Sequence, residues 1–197
     1  WLKLPEGAGL EGFLYPATYS LVTSANGGPF EVTTAEGLVR MMLDKFHEAV
    51  GDARLNVAES RGLSFYEVLT LASIVEREAV IDEERPLIAG VYLNRLSQGW
   101  ALDADPTIQY ALGQSREPGN WWPDLTLEDY QGVDHPYNTY RSPGLPPGPI
   151  ANPGLSAINA AIYPQPSEYF FFRASCSGDG THRFAATLEE QAANECP

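Results

Sequence analysis

The sequence predicts an α+β fold. Helical segments with capping signals fill the first half of the chain, a segment rich in proline and aromatic residues covers residues 100–150, and two strand-like segments follow. Helices and strands that lie in separate parts of a chain are typical of this class. At 197 residues the chain should form one domain, residues 1–197, with a sizeable core.

Composition and charge exclude several functions. The net charge is −14, from 12 basic and 26 acidic side chains. This balance argues against nucleic acid and anionic membrane surfaces, because both need clustered Lys and Arg. We find no apolar run long enough to cross a bilayer and no signal peptide, so we expect a mature form or an excised fragment.

The two cysteines indicate a compartment. Cys176 and Cys196 lie near the C-terminus and flank a predicted hairpin and helix. A disulfide between them suits an oxidising, extracytoplasmic setting. The alternative is two free thiols in a cytosolic protein.

The first elements are an extended segment and a helix. Residues 12–22, GFLYPATYSLV, are predicted to be extended, and SANGGPF (24–30) breaks this segment. Thr33 and Glu36 then form a T-x-x-E capping box, which begins a helix that we expect Gly51 to end.

Two further helices follow. Ser64 and Glu67 form a second capping box, which explains Glu67 locally. The third helix is predicted to begin between Glu83 and Pro86 and to end at Gly99.

The last third of the chain predicts a short helix, a hairpin and a closing helix. Asn152 and Pro153 are expected at the N-cap and first position of a helix that ends before Pro164. EYFFFRA (168–174) and THRFAA (181–186) predict two strands joined by a glycine turn. A T-x-x-E box at Thr187 predicts the closing helix.

The helix over residues 64–80 carries a candidate general acid. On a helical wheel Glu76 falls among Phe65, Val68, Leu69, Ala72 and Ala79, whereas Glu78 points elsewhere. If this arc lines a cleft, loss of solvent should raise the pKa of Glu76 and keep its carboxyl protonated near neutral pH. The alternative is a structural Glu76 that is hydrogen-bonded to the backbone or paired with Arg95 or another arginine in the core.

Seven motifs resemble the YceG-like (MltG) family of endolytic murein transglycosylases, specifically their catalytic domain. The motifs occur in order from Leu10 to about Phe184, and seven matches in the same order argue against coincidence. They are LEGFLYPATYSL (10–21), LASIVEREA (71–79), GVYLNRL (90–96), ADPTIQYALG (104–113), YNTY (137–140), GLPPGPIANPG (144–154) and THRF (181–184).

The resemblance implies a lytic transglycosylase that cleaves the MurNAc-β-1,4-GlcNAc bond of peptidoglycan without water, leaving 1,6-anhydroMurNAc ends. The catalytic glutamate of the family carries over to Glu76. One carboxyl suffices, first as general acid and then as general base, because the nucleophile is the substrate's own 6-hydroxyl. The resemblance implies neither a cofactor nor a metal.

Other motif residues are candidates for substrate binding. Glu11 could hydrogen-bond in the cleft or brace Glu76, or make a structural contact. Asp105 could bind sugar hydroxyls or stabilise positive charge near C1, or cap a helix that starts at the following proline. Tyr137, Asn138 and Tyr140 offer stacking faces and an amide for sugars, or hydrogen bonds that anchor their loop.

The chain departs from the family pattern at three places. Ala17 stands where Asp is common, Asp103 stands where Gln or Asn is usual, and SCSGDG (175–180) is longer than the usual turn. These changes affect details of the expected cleft. The family also has an N-terminal membrane helix and a LysM-like lobe, which we expect only in a longer parent protein.

Three rival functions differ in what they require. A pyridoxal-phosphate lyase needs a Schiff-base lysine, but Lys3 and Lys45 lie outside the motifs. A metal hydrolase needs ligand spacing that His47, His135 and His182 lack. A non-catalytic domain that binds peptidoglycan would keep the aromatic loops without needing Glu76, and it is the main alternative.

The resemblance also implies where the protein works and with which partners. It implies peptidoglycan glycan strands as substrate and an extracytoplasmic place at the outer face of the bacterial cytoplasmic membrane. Peptidoglycan synthases (penicillin-binding proteins) are expected partners in cell-wall assembly.

Overall fold

The computed structural model describes residues 1–22, 33–60, 62–116 and 118–196. Within these ranges it is α+β, as predicted, and none of its helices is long and apolar enough to cross a membrane. The helices are α1 (Ala35–Ser60), α2 (Phe65–Glu78), α3 (Arg85–Ser97), α4 (Asp105–Leu112), α5 (Leu127–Gly132), α6 (Leu155–Ile162) and α7 (Leu188–Ala193). The strands are β1 (Phe171–Ala174) and β2 (His182–Ala185).

Helix α2 lies at the centre of the core. Every residue from Val68 to Val75 is buried, and α6, α3, α1 and α4 pack against the helix. A helix that is buried around its whole circumference has no single apolar face. The acids of α2 are therefore confined to its two ends.

The start of α2 confirms the predicted capping box. The Glu67 N–H donates to Ser64 Oγ at 3.2 Å, and the Ser64 N–H donates to Glu67 Oε2 at 2.7 Å. Both bonds satisfy N–H groups that the first turn of a helix leaves unpaired.

The prediction for the start of α1 was wrong by one residue. Thr34, not Thr33, accepts from the Gly37 N–H, at 3.0 Å. Thr33 Oγ1 instead accepts from the Val22 N–H, also at 3.0 Å. Gly51 does interrupt the helix, with φ of 69°, but a second helical segment continues to Ser60.

Residues 12–22 form a turn and irregular backbone rather than the predicted extended segment. No strand is paired with this segment in the described structure; instead, Asn152 Oδ1 accepts from the N–H groups of Gly12 and Leu14, at 2.8 and 3.1 Å. Gly12 is required here, because its φ is +89° and an added Cβ would lie 2.6 Å from Pro149. The predicted break at residues 24–30 lies outside the described residues.

Helix α6 therefore begins later than predicted. Its N-cap is Gly154, and Asn152 is used two residues earlier to hold the N-terminal segment. The predicted end was confirmed, since the helix stops at Ile162 before Pro164.

The C-terminal third confirms the hairpin and the closing helix. β1 and β2 are antiparallel, with Phe172 opposite Phe184 and Ala174 opposite His182. Thr187 Oγ1 accepts from the Glu190 N–H at 3.2 Å and caps α7. Cys176 and Cys196 form a disulfide that links the hairpin loop to the segment after α7.

We predict that Asn152→Ala lowers the free energy of unfolding by about 1–3 kcal/mol, because two partly buried N–H groups lose their acceptor. Urea denaturation measures this loss. Asn152→Asp keeps an acceptor and should cost less. Equal loss in both variants would show that Asn152 does not act through these hydrogen bonds.

Candidate active site

The C-terminal end of α2 directs two carboxylates to different surroundings. Glu76 and Glu78 are two residues apart, which separates them by about 200° around a helix. Glu76 meets Arg85 at the start of α3 and the start of α6, whereas Glu78 meets Tyr92, about two turns further along α3, and lines a cavity.

Both carboxylate oxygens of Glu76 accept hydrogen bonds from neighbouring elements. Arg85 donates to Glu76 through Nη1 at 3.1 Å and Nη2 at 3.4 Å, and the Gly154 N–H donates to its Oε2 at 3.1 Å. The carboxylate therefore joins α2, α3 and α6. This arrangement fits the alternative of a structural glutamate paired with an arginine. The partner is Arg85 rather than Arg95.

Glu78 has the surroundings that the wheel assigned to Glu76. Tyr92 of α3, itself buried, donates from its hydroxyl to Glu78 Oε1 at 2.7 Å. Burial raises the pKa of Glu78 to about 7, and Asp105 adds to the rise, while the Tyr92 hydrogen bond and the charges of Arg77 and Arg95 oppose it. A carboxyl with this pKa can both give and accept a proton near neutral pH.

Glu78 lines a cavity of about 440 Å³. The walls come from the end of α2, α3, the segment before α4, the first residue of α4, α5, the 137–140 loop, the hairpin and α7. The other lining residues are Tyr92, Arg95, Leu102, Asp103, Asp105, Tyr130, Tyr140, Phe172, Arg173, Ala174, His182 and Gln191.

Asp105 is the second carboxylate with a fixed geometry in the cavity. The Tyr140 hydroxyl donates to its Oδ1 at 2.6 Å, and the Tyr130 hydroxyl lies 3.4 Å from its Oδ2. The alternative of helix capping was wrong, because Asp105 is the first residue of α4 and Ala104 is the N-cap. Burial and the bond to Asp105 raise the pKa of Tyr140, which keeps this hydroxyl a donor.

Arg95 and Asp103 form an ion pair at the cavity. Arg95 is buried, and its Nη1 lies 3.0 Å from Asp103 Oδ2 while donating also to the Leu102 carbonyl at 2.7 Å. Its Nε donates to the Phe170 carbonyl at 2.6 Å, which ties α3 to the hairpin. Burial raises the pKa of Asp103, and Arg95 opposes the rise.

His182 is held at the cavity by Glu84. Glu84 Oε1 accepts from the His182 backbone N–H at 3.0 Å, and Oε2 lies 2.7 Å from Nδ1. The Phe172 ring contacts both His182 and Tyr92 edge-on, with centroids 5.5 and 5.6 Å away. A continuous row of contacts thus joins His182 to Glu78.

Glu11 and Tyr137 form a separate group outside the cavity lining. Glu11 is exposed, and the Tyr110 hydroxyl donates to its Oε2 at 2.8 Å. The rings of Tyr110 and Tyr137 lie 4.8 Å apart. Among the described residues Glu11 bonds to Tyr110, whereas Glu76 bonds to Arg85 and Gly154, so bracing of Glu76 by Glu11 gains no support.

Asn138 is buried inside its own loop. Its Nδ2 donates to the carbonyls of Tyr130 and Val133, and its Oδ1 accepts from the Tyr140 N–H at 3.0 Å. The side chain has no exposed surface, so it cannot reach a sugar in this conformation. These contacts fit the loop-anchoring alternative.

The structure thus brings together two of the six predicted site residues, Asp105 and Tyr140, in one cavity. Glu76, Glu11, Tyr137 and Asn138 lie outside its lining. Sequence reasoning missed Glu78, Tyr92 and Tyr130. Glu78 was visible in the sequence as the second acid of the LASIVEREA motif (71–79). The helical wheel set it aside because it points away from the apolar arc.

The family model described as "YceG-like family" matches residues 3–196. The chain belongs to the YceG-like family.

Relatives and one solved structure extend the comparison. The chain is 36% identical to the endolytic murein transglycosylase of Bacillus subtilis (strain 168), over 92% of this chain and 46% of that protein. It is 35% identical to the enzyme of the same name from Streptococcus pneumoniae serotype 2 (strain D39), over 94% and 31%. The crystal structure of the yceG-like protein lmo1499 from Listeria monocytogenes superposes with a TM-score of 0.79 at 36% identity, over 94% of this chain and 55% of that chain. The chain spans less than half the length of these two curated relatives.

We predict that the stability of the protein reports the titration of Glu78. Its pKa rises from 4.5 to about 7 on folding. The contribution of this group to the free energy of unfolding is therefore complete below pH 4.5 and is lost as the pH rises to about 7. Glu78→Gln should therefore gain stability relative to the parent by up to about 3 kcal/mol across this window.

Urea denaturation at a series of pH values measures the difference. Tyr92→Phe keeps the ring but removes a bond that favours the charged form, so it should move the pH window upward. Parallel pH profiles for parent and Glu78→Gln would contradict a raised pKa.

Proposed function

We propose that this chain is the catalytic domain of an endolytic peptidoglycan lytic transglycosylase. It cleaves the MurNAc-β-1,4-GlcNAc bond within glycan strands and leaves 1,6-anhydroMurNAc ends. The relatives are named endolytic murein transglycosylases, which supports peptidoglycan as the substrate class. The observation that carries the proposal is a carboxyl, Glu78, whose pKa burial raises to about 7 at a cavity of saccharide size.

The proposed reaction uses the Glu78 carboxyl twice. It gives its proton to the glycosidic oxygen as the bond from that oxygen to C1 breaks. The MurNAc 6-hydroxyl oxygen then bonds to C1, and its proton passes to the Glu78 carboxylate. Both steps need only a carboxyl and the substrate, so no cofactor takes part.

Tyr92 fixes the direction of the proposed acid. Its hydroxyl donates to Glu78 Oε1, which leaves Oε2 as the oxygen that exchanges protons with the saccharide. The buried tyrosine also keeps one side of the carboxyl away from water, and exclusion of water disfavours hydrolysis.

Asp105 supplies the second charge of the proposed site. Its carboxylate is held by two phenol hydroxyls and raises the pKa of Glu78. A fixed negative charge here would stabilise the positive charge that develops near C1. Because the 6-hydroxyl is the nucleophile, Asp105 need not attack C1 or activate water, unlike the second carboxylate of a hydrolase.

Glu76 stays a prediction as the catalytic residue, and its contacts favour a different role. Arg85 holds both of its oxygens and the Gly154 N–H holds one. We assign it to the joint between three helices. Glu78, two residues later, takes the proposed catalytic part.

Glu11, Tyr110 and Tyr137 are proposed to contact sugars beyond the cleaved bond. They offer a carboxylate and two phenol rings at the surface, a combination suited to stacking on sugar faces and bonding hydroxyls. Tyr110 and Asp105 both belong to α4, so this surface and the cavity share a helix.

An extracytoplasmic place at the outer face of the bacterial cytoplasmic membrane goes with the proposed substrate, and the Cys176–Cys196 disulfide supports an oxidising compartment. A membrane anchor in a longer parent protein and peptidoglycan synthases as partners remain part of the proposal.

The direct test compares Glu78→Gln with Glu76→Gln in the full-length protein. Each is incubated with purified peptidoglycan, and mass spectrometry identifies the new glycan ends. We expect anhydro-muramyl ends from the parent and from Glu76→Gln, and a loss of about 100-fold or more in rate for Glu78→Gln. Circular dichroism checks that both variants are folded.

Three results would contradict the proposal. Hydrolysed, reducing MurNAc ends would exclude the intramolecular attack. An active Glu78→Gln beside an inactive, folded Glu76→Gln would restore Glu76 as the acid. Binding of peptidoglycan without any cleavage by the parent would favour a non-catalytic binding domain.

A further inference from the structure

The Glu84–His182 pair is more elaborate than a structural tie between two elements requires. Glu84 lies in the 3₁₀ turn Asp82–Glu84, which leads into α3, and His182 begins β2. One bond from Glu84 Oε1 to the His182 backbone N–H would already hold the hairpin. The second oxygen is directed to the imidazole Nδ1 at 2.7 Å.

This second bond fixes the imidazole chemically. A carboxylate at Nδ1 favours the tautomer in which Nδ1 carries the proton, and Nε2 is then an acceptor. Both side chains are largely buried, with 10% of His182 and 17% of Glu84 exposed. The ring packs edge-on against Phe172, which limits its rotation.

The imidazole lies in the same cavity as Glu78. Phe172 contacts both His182 and Tyr92, and Tyr92 bonds to Glu78, so the two residues lie on one continuous wall. The cavity lining thus includes an imidazole of fixed orientation that the proposed proton transfers do not use.

We infer that His182 is a substrate-binding residue whose Nε2 accepts a hydrogen bond from a non-reacting hydroxyl or acetamido N–H of the saccharide. Glu84 is a positioning residue that acts through His182 by fixing its tautomer and ring orientation. The contact orients the sugar so that the glycosidic oxygen and the 6-hydroxyl reach Glu78. The identity of the ligand as a saccharide rests on the proposed function.

Nitrogen NMR of the histidine side chains tests the contact without turnover. The chain has three histidines, so their signals can be assigned with single variants. The probe is a purified GlcNAc–MurNAc tetrasaccharide, added at about pH 8, where an unperturbed histidine is neutral, to the full-length protein carrying Glu78→Gln. We expect His182 to show the Nδ1–H tautomer and its Nε2 signal to move on addition, while His47 and His135 stay unchanged.

Several spectra would overturn the inference. These are an unmoved His182 signal, equal shifts of all three histidines, a proton on Nε2, or an imidazolium at that pH. Failure of the proposed reaction gives a different pattern of results. In that case the peptidoglycan assay would yield no anhydro ends, whether or not the tetrasaccharide moved the His182 signal.

Kinetics on the otherwise unchanged protein gives a second reading. His182→Phe should lower kcat/KM by about 10- to 100-fold, because a misplaced substrate reacts slowly. His182→Gln retains an acceptor and should recover part of the loss, which a purely structural role would not explain. Equal losses in the two folded variants would contradict acceptance by Nε2.

His47 provides the matched control. It also pairs with a carboxylate, Asp52, at 2.9 Å, but it lies on α1 outside the cavity lining. His47→Phe should leave kcat/KM within about twofold of the parent, since surface substitutions away from a site have small effects. A drop in kcat/KM comparable to that of His182→Phe would show that both losses come from general destabilisation, and it would overturn the inference.

Discussion

The complete burial of α2 from Val68 to Val75 is the constraint on which the site depends. A buried carboxylate without partners would cost several kcal/mol, so acids of this helix are accommodated only at its ends. At the N-terminal end Glu67 bonds to the backbone. At the C-terminal end Glu76 and Glu78 leave the core on different sides, and each finds its own partner.

The start of α3 connects these two sides. Arg85 binds Glu76, and through it the start of α6, while the preceding residue, Glu84, binds His182 on the hairpin. Two adjacent residues thus fix the end of α2 and the part of the hairpin that lines the cavity. Glu78 lines the cavity, where burial is the main reason that its charge is poorly stabilised, and its hydrogen-bond donor among the described residues is the Tyr92 hydroxyl.

Local signals predicted most of the elements. The capping box at Ser64, the glycine turn of the hairpin and the proline that ends α6 act within a few residues, and sequence shows them directly. Asn152 shows the limit of such signals: it resembles an N-cap, but its acceptor is used by a segment 140 residues away in sequence. Long-range contacts of this kind leave no local pattern.

The helical wheel could not decide between Glu76 and Glu78 for a related reason. A helical wheel separates a buried face from an exposed one, and α2 has no exposed face over its middle. Position on the wheel therefore did not indicate which acid would meet a cavity. Asp105 and Tyr140 were found because the YceG-like motifs mark them, whereas the tertiary structure was needed to show that they share a site with Glu78.

A crystal structure of the Glu78→Gln protein with a bound GlcNAc–MurNAc oligosaccharide would test the central claim most directly. We predict that the glycan passes through the cavity, with the oxygen of the scissile bond about 3 Å from the substituted side chain at position 78. A glycan whose scissile bond lies beside Glu76, or one bound elsewhere while the cavity stays empty, would contradict the assignment of Glu78 as the acid.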